Sequence, residues 1–451
     1  MCAAAGGVLV EITTPNLHRS LGIPVDSHRE PPAAAAVGSA VPLGNNADFA
    51  SFSPKTLTLA ENSMPCATVR AFHLRAVGRE ILTRQCVTVA KKVQGVVIGR
   101  HSPRLRWCGS RIRRGHDGVT LYARPDRSYG RVSGVCVCGQ SLACPVCAPR
   151  IAAFRSAEIA DCFTRAKALG FEARLETFTA PHTLGSTLGR EIDAFAAAWR
   201  VYGSGRSAVA SRRASLGHHV GREVTWGAIN GWHYHHHRCR YDRPGSYDPD
   251  RERYYWLAAL GSIGRRTLDS ESHAFDSGLI SDAQHAEYVG KVAVASDAQG
   301  RSIGSEIASS ATKGRNLASL LLAASKGDDD AARVWSAGVQ DIVERKVASC
   351  RWSRGLRAKV GMQAEKTDDE VALEEALPAD IPLGALNAMQ WRGVILHRAE
   401  FALLRAAQGG IDSANTFLSG LSLGQLDDAA RPAVIVPLSA ETCYKGFKPR
   451  N

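Results

Sequence analysis

The stretch GWHYHHHRC, residues 231–239, places four of the chain's fifteen histidines within five positions. In an extended strand side chains alternate between faces, so His233, His235 and His237 share one face while Tyr234 and His236 point to the other. Same-face neighbours have Cα atoms roughly 6.5 to 7 Å apart. Two imidazoles at that spacing can close around one ion through bonds of about 2 Å. The outer pair is about twice as far apart. A mononuclear site would therefore use two adjacent same-face histidines and import further ligands from another strand.

The residues just before supply one. In REVTWGAINGWHYHHHRCRY (222–241), β-branched and aromatic residues flank Asn230-Gly231, the dipeptide that most strongly marks a hairpin. A three-residue loop Ile229-Asn230-Gly231 with the glycine left-handed pairs Ala228 with Trp232 and sets Glu223 opposite His237. A two-residue Asn-Gly turn moves the register by one and turns Glu223 away. Two imidazoles plus a carboxylate suit Mn²⁺ or Mg²⁺, with positions left open for water and a phosphate oxygen.

A second candidate lies in SDAQHAEYVGKVAV (281–294), where Ser281 and Gln284 form a helix capping-box pattern. Tyr288 and Lys291 then lie one turn apart on one face. A phenol with pKa about 10 is a poor nucleophile unless a base, cation or metal assists it. Lys291 could favour the phenolate or grip a phosphate.

A third is the cysteine run CVCGQSLACPVC (136–147). Cys144 and Cys147, as a CxxC knuckle, can take adjacent vertices of a zinc tetrahedron, and Cys136 and Cys138 can fill the others. Cys108, in RWCG, can replace Cys136. A structural Zn²⁺ there would fix a basic module, with Arg104, Arg106, Arg111, Arg113 and Arg114 of RLRWCGSRIRRGH as DNA phosphate contacts.

These residues need elements to hold them. RIAAFRSAEIADCFTRAKALG reads as an amphipathic helix ended by Gly170, FEARLETFTAPHT as a strand and GREIDAFAAAWRVY as a helix. Residues 1–95 are small-residue- and Pro-rich in part and are expected to be poorly ordered. A Cys-rich zinc module is expected over 96–150, a domain carrying the histidine strand and the Tyr288 helix over 151–365 and a helical region over 383–451. The acidic stretch 367–382 marks a boundary.

The 451 residues carry 56 Lys and Arg against 43 Asp and Glu, a formal charge of +13. Such a surface attracts polyanions, nucleic acid first among them. No run approaches the length of a membrane span. The N-terminus lacks the pattern of a secretory signal, so a cytoplasmic location is expected, where clustered cysteines are tested first as metal ligands.

The order and spelling of CGQSLACPVCAPRI, EVTWGAINGWHYHHH, YVGKV and RWSRGLRAKVGM resemble the plasmid rolling-circle replication initiators, the Rep proteins of the HUH endonuclease superfamily. The likeness covers roughly residues 104–375. It implies an α+β fold, an HUH-type nuclease domain with a central antiparallel sheet of about five strands flanked by helices, one of which presents Tyr288. The family's Gly-Trp-His-Pro-His-hydrophobe-His motif falls on Gly231 to His237 and makes His235 and His237 the metal ligands. Its Tyr-x-x-Lys motif makes Tyr288 the nucleophile on DNA and Lys291 its partner. The implied activity is nicking of single-stranded or extruded plasmid origin DNA, leaving a 5′-phosphotyrosyl link and a free 3′-hydroxyl, with rejoining at termination. Host helicase and polymerase would be partners. His236 and Gln284 depart from the family pattern. The competing readings are a non-catalytic zinc-stabilised DNA-binding regulator and a related transposase or relaxase.

Overall fold

The computed structural model describes residues 67–94, 96–124, 129–267, 273–280, 314–373 and 379–427. Helix α1 (Ala67–Arg84) leads into a two-stranded ribbon, β1 (Val89–Val93) and β2 (Val96–His101). A 3₁₀ turn at Arg104–Trp107 precedes β3 (Val119–Ala123) and β4 (Arg131–Ser133). Helix α2 (Cys147–Ala168) then carries the chain to β5 (Glu172–Thr179).

Helix α3 (Leu188–Ser204) starts where the Thr187 hydroxyl accepts from the Arg190 amide, the side-chain cap an N-terminus needs. α4 (Arg206–Ala214) runs directly into β6 (Ser215–Gly227), which turns back as β7 (Gly231–Asp242). Asp248 and Pro249 open α5 (Pro249–Ser262), and β8 (Phe275–Ile280) follows. Beyond it come β9 (Arg315–Asn316), α6 (Leu317–Ser325), α7 (Asp329–Glu344), β10 (Cys350–Trp352), α8 (Leu356–Lys359) and α9 (Asp368–Ala372). The C-terminal part holds β11 (Ile381–Leu386), α10 (Ala388–Leu396), α11 (Glu400–Ala406) and α12 (Gly410–Gly420).

The architecture is α+β. Its main sheet is antiparallel in the order β10-β6-β7-β5-β8, with the short β9 paired to β6. The alternation of β7 splits its residues between two covers. Tyr234, His236 and Arg238 face α3 and α5, where Phe178, Phe195, Tyr202 and Trp256 are buried. Arg238 donates to Glu176 and Tyr202 within that layer, so the buried cation is paired. On the opposite face Cys239 and Tyr241 are covered by Ile159, Cys162 and Phe163 of α2. His233, His235 and His237 continue that face toward the β6–β7 turn.

Three expectations about domain limits are corrected. The poorly ordered segment expected over 1–95 contains α1, which buries Leu74, Val77, Ile81 and Leu82. Arg75 and Arg79 of α1 reach Glu400 of α11 at 2.7 and 3.0 Å. Those contacts span more than three hundred residues and leave no local pattern. The helical region expected from 383 is not separate either, because β11 pairs with β3 of the cysteine-rich segment. Nor does the start of the acidic stretch 367–382, expected to mark a boundary, stand apart from the preceding segments: Asp368 pairs with Arg155 and Asp369 with Arg104, both at 2.9 Å.

Candidate metal centres

The β6–β7 turn sets the first centre. Gly227 pairs with Gly231 across the loop Ala228-Ile229-Asn230, and Gly231 is left-handed at φ +75°. The loop has three residues, as one sequence register requires, but starts one position earlier. Glu223 therefore pairs with His235 rather than His237. A shift of two leaves every side chain on its face, so the carboxylate still meets both imidazoles. A side chain at 231 would also press on Leu184, whose Cα and carbonyl oxygen would lie 3.0 Å from the added carbon.

His235 Nε2 lies 2.7 Å and His237 Nε2 3.3 Å from Glu223 Oε2. Neighbouring ligand atoms around an octahedral ion with bonds of about 2.1 Å stand about 3 Å apart. Both carboxylate-to-imidazole distances match that spacing, and all three donor atoms lie within 4.8 Å of one another. Both histidines are largely buried, while the Glu223 side chain keeps 27% exposure, which gives the centre an opening. Burial alone would raise the Glu223 carboxyl. Hydrogen bonds from His235 and His237, with their charge, outweigh it and hold the group down at about 2.

On the next strand Thr177 pairs with His237 and Thr179 with His235. Thr177 Oγ1 is 3.1 Å from His237 Nδ1. When this hydroxyl accepts from Nδ1–H, it fixes the tautomer that leaves Nε2 free as a donor to a cation. His233 extends the row, with ring centroids 4.7 Å from His235 on one side and 4.7 Å from His182 on the other. Burial, then the neighbouring His235 and His182, push its imidazole down to about 4. His236 faces the other way and is buried, with Nε2 3.0 Å from the Tyr234 hydroxyl. The imidazole at the position where the family pattern has a hydrophobe is therefore partnered.

Four sulfurs form the second centre. Cys108, Cys138, Cys144 and Cys147 are buried free thiols whose sulfurs all lie within 4.8 Å of one another. Cys108 Sγ is 3.7 Å from Cys144 Sγ and 3.6 Å from Cys147 Sγ, and Cys138 to Cys147 is 3.7 Å. A zinc tetrahedron with bonds of about 2.3 Å has edges of about 3.8 Å, so the donor set fits that ion.

Cys136, expected as the fourth ligand, is not in this group; Cys108 is. The backbone of Cys136 is paired with Gly109 and Arg111, which sets its sulfur 3.7 Å from the Ile112 carbonyl. The same pairing brings Cys108, one residue before Gly109, to the cluster. Hydrogen bonds from Cys138, Cys144 and Cys147 pull the Cys108 thiol well below its ordinary value, whereas burial pushes Cys138 and Cys144 up.

The expected DNA-contacting arginines divide. Arg104 is committed to Asp369 and the Val137 carbonyl. Arg113 hydrogen-bonds His116. Arg106 and Arg111 lie against the Trp107 ring, at 4.8 and 3.4 Å, and Arg111 and Arg114 are exposed. Tyr288 and Lys291 lie outside the described residues.

Thr177 and His182 escaped the sequence reading. The alternation of FEARLETFT indicates which face Thr177 takes, but only the β5–β7 register sets it against His237. Among the described residues, no helix is long and apolar enough to cross a membrane.

No family model and no solved structure matches this chain. A curated protein of Streptomyces lividans named Protein rep is 27% identical to it over 350 residues, covering 62% of this chain and 76% of that protein. That similarity supports a relationship to Rep-type replication proteins.

Proposed function

We propose that this protein is a plasmid rolling-circle replication initiator of the HUH type, which nicks origin DNA through Tyr288. The observation that carries the reading is the meeting of two imidazole nitrogens and a carboxylate oxygen on one sheet face. The Protein rep similarity supports the same direction.

His235, His237 and Glu223 would hold Mn²⁺ or Mg²⁺. A cation bound there would neutralise charge growing on a non-bridging oxygen of the scissile phosphodiester. Thr177 orients His237. The Tyr288 oxygen forms a bond to phosphorus as the bond to the 3′-oxygen breaks. The phenol gives up its proton and the leaving 3′-oxygen gains one. The strand then carries a free 3′-hydroxyl for a polymerase and a 5′-phosphate on tyrosine, and the ester retains the bond energy for rejoining. Lys291 would steady the phosphate or favour the phenolate.

The chain length allows this arrangement. Ile280 ends β8 beside Ala173, four residues along β5 from Thr177, a span of roughly 13 Å. Tyr288 follows Ile280 by eight positions, and eight residue steps reach from about 12 Å as a helix to about 27 Å extended.

Cys108, Cys138, Cys144 and Cys147 would hold a structural Zn²⁺. Arg75 is buried beside three of these sulfurs, where its positive charge opposes that of thiolates.

The test is cleavage of an end-labelled single strand from the plasmid origin with Mn²⁺. The expected product has a 3′ end that a polymerase extends and a 5′ end that resists an exonuclease. Cleavage giving a free 5′-phosphate would contradict the reading, and binding without cleavage would favour a non-catalytic regulator.

A further inference from the structure

Among the described strands, the β1–β2 ribbon is the most exposed. Val93, Val96, Val97 and Ile98 at its tip are each more than half exposed, and every residue of β2 is exposed. Its base is anchored: the Ala90 amide donates to Glu344 at 3.1 Å, and Arg100 reaches Glu344 at 3.3 Å and Thr88 at 2.8 Å. A two-stranded ribbon is marginal alone, and bare branched aliphatics on open strand edges invite association. Such a tip calls for a partner.

Charge identifies the partner. From Ile81 to His116 the sequence holds nine lysines and arginines and no aspartate or glutamate. Lys92 is exposed and forms no ion pair with the described residues, and it stands directly across from Val97. Val93 stands across from Val96, so both faces of the tip carry an aliphatic side chain. Further basic groups stand beyond the ribbon's base: Arg106 hydrogen-bonds Ser102, the residue after β2, and shares the Trp107 ring with exposed Arg111. A second copy of this chain would bring like charges together, which disfavours self-pairing. The major groove of DNA, about 12 Å wide, admits a two-stranded ribbon, offers phosphates on both rims and accepts apolar contact at thymine methyl groups.

We infer that the tip of the β1–β2 ribbon enters a groove of duplex DNA end-on, so that Val96 and Val97, one on each face, meet base edges while Lys92 and the Trp107 arginines reach the phosphates. The ribbon would thus hold the double-stranded part of a substrate, apart from the histidine centre. This inference rests on the reading of the protein as one that acts on DNA.

The test is fluorescence anisotropy in buffer free of Mn²⁺ and Mg²⁺, with a mixed-sequence duplex and a single strand of equal length as probes. The Val96→Ser/Val97→Ser double variant is expected to weaken duplex binding about tenfold and to change single-strand affinity by less than about twofold. Lys92→Ala should reduce the salt slope on duplex by about 1. Thermal melting checks that both variants are folded; all these positions are exposed. Unchanged duplex affinity, equal losses on duplex and single strand, or a smaller solution mass of the valine variant without a loss on duplex would overturn the assignment. If the unaltered protein binds neither probe, the DNA reading itself fails, which is a separate outcome.

Discussion

Glu223 Oε2 sits 2.7 Å from His235 Nε2 directly across the β6–β7 ladder, and the same oxygen is 3.3 Å from His237 Nε2. One acceptor facing two ring nitrogens is the geometry of ligands gathered around a common point. The neighbouring strand contributes the part that orients them, Thr177 at His237 Nδ1.

Thr177→Val keeps the shape of this side chain and removes its oxygen. Calorimetric titration with Mn²⁺ should show affinity lower by about tenfold or more, as for other outer partners of metal-binding histidines. An unchanged affinity would mean that the Thr177 hydroxyl does not orient the ligand.

The cysteine cluster makes a prediction that separates two similar residues. Cys108→Ser should lower the zinc content of the purified protein and its melting temperature, because a structural zinc contributes folding free energy outright. Cys136→Ser should retain zinc. Elemental analysis of the two variants checks both.

The alternation of GWHYHHHRC was sufficient to sort His233, His235 and His237 from Tyr234 and His236, because a strand's period of two is a local property. The pairing of Glu223 was less legible, since the position of a three-residue loop within AINGW depends on how Gly231 sits against Leu184. Parity survived the error in register because the shift was two. Cys108 lost to Cys136 on spacing alone, and only the backbone pairing of residues 109–111 with Cys136 reverses that order. Helix α1 was invisible for a related reason: Arg75 and Arg79 find their carboxylate on α11.

That ion cluster is itself testable. Glu400 is 3% exposed and accepts from both arginines, so Glu400→Ala leaves two buried cations without their carboxylate. The expected loss is about 3–5 kcal/mol in chemical denaturation, with earlier proteolysis within α1. A loss under about 1 kcal/mol would place the stabilisation of α1 in its apolar face alone.

His219 sets an acid limit. It is fully buried, neither ring nitrogen has a hydrogen-bond partner among the described residues, and burial pushes its imidazole down to about 3. Between that value and the ordinary 6.5 the unfolded chain takes a proton that the folded chain refuses. Stability from this residue is therefore complete above about pH 6.5 and falls as the pH drops toward 3. The loss from pH 7 to pH 5 should be about 2 kcal/mol, and His219→Phe should remove most of it. His236, also pushed down by burial, adds a slope of the same sign. Glu223, held at about 2, contributes stability above about pH 4.5 that is lost only below that value. Denaturation curves at several pH values check the difference.

The most direct measurement is peptide mapping of the covalent complex formed with an origin-derived single strand and Mn²⁺. The account predicts that the nucleotide is joined to Tyr288, that Tyr288→Phe and the double variant His235→Ala/His237→Ala form none, and that chelation of the divalent ion prevents it. An adduct on another residue, or one that persists in the double histidine variant, would contradict it.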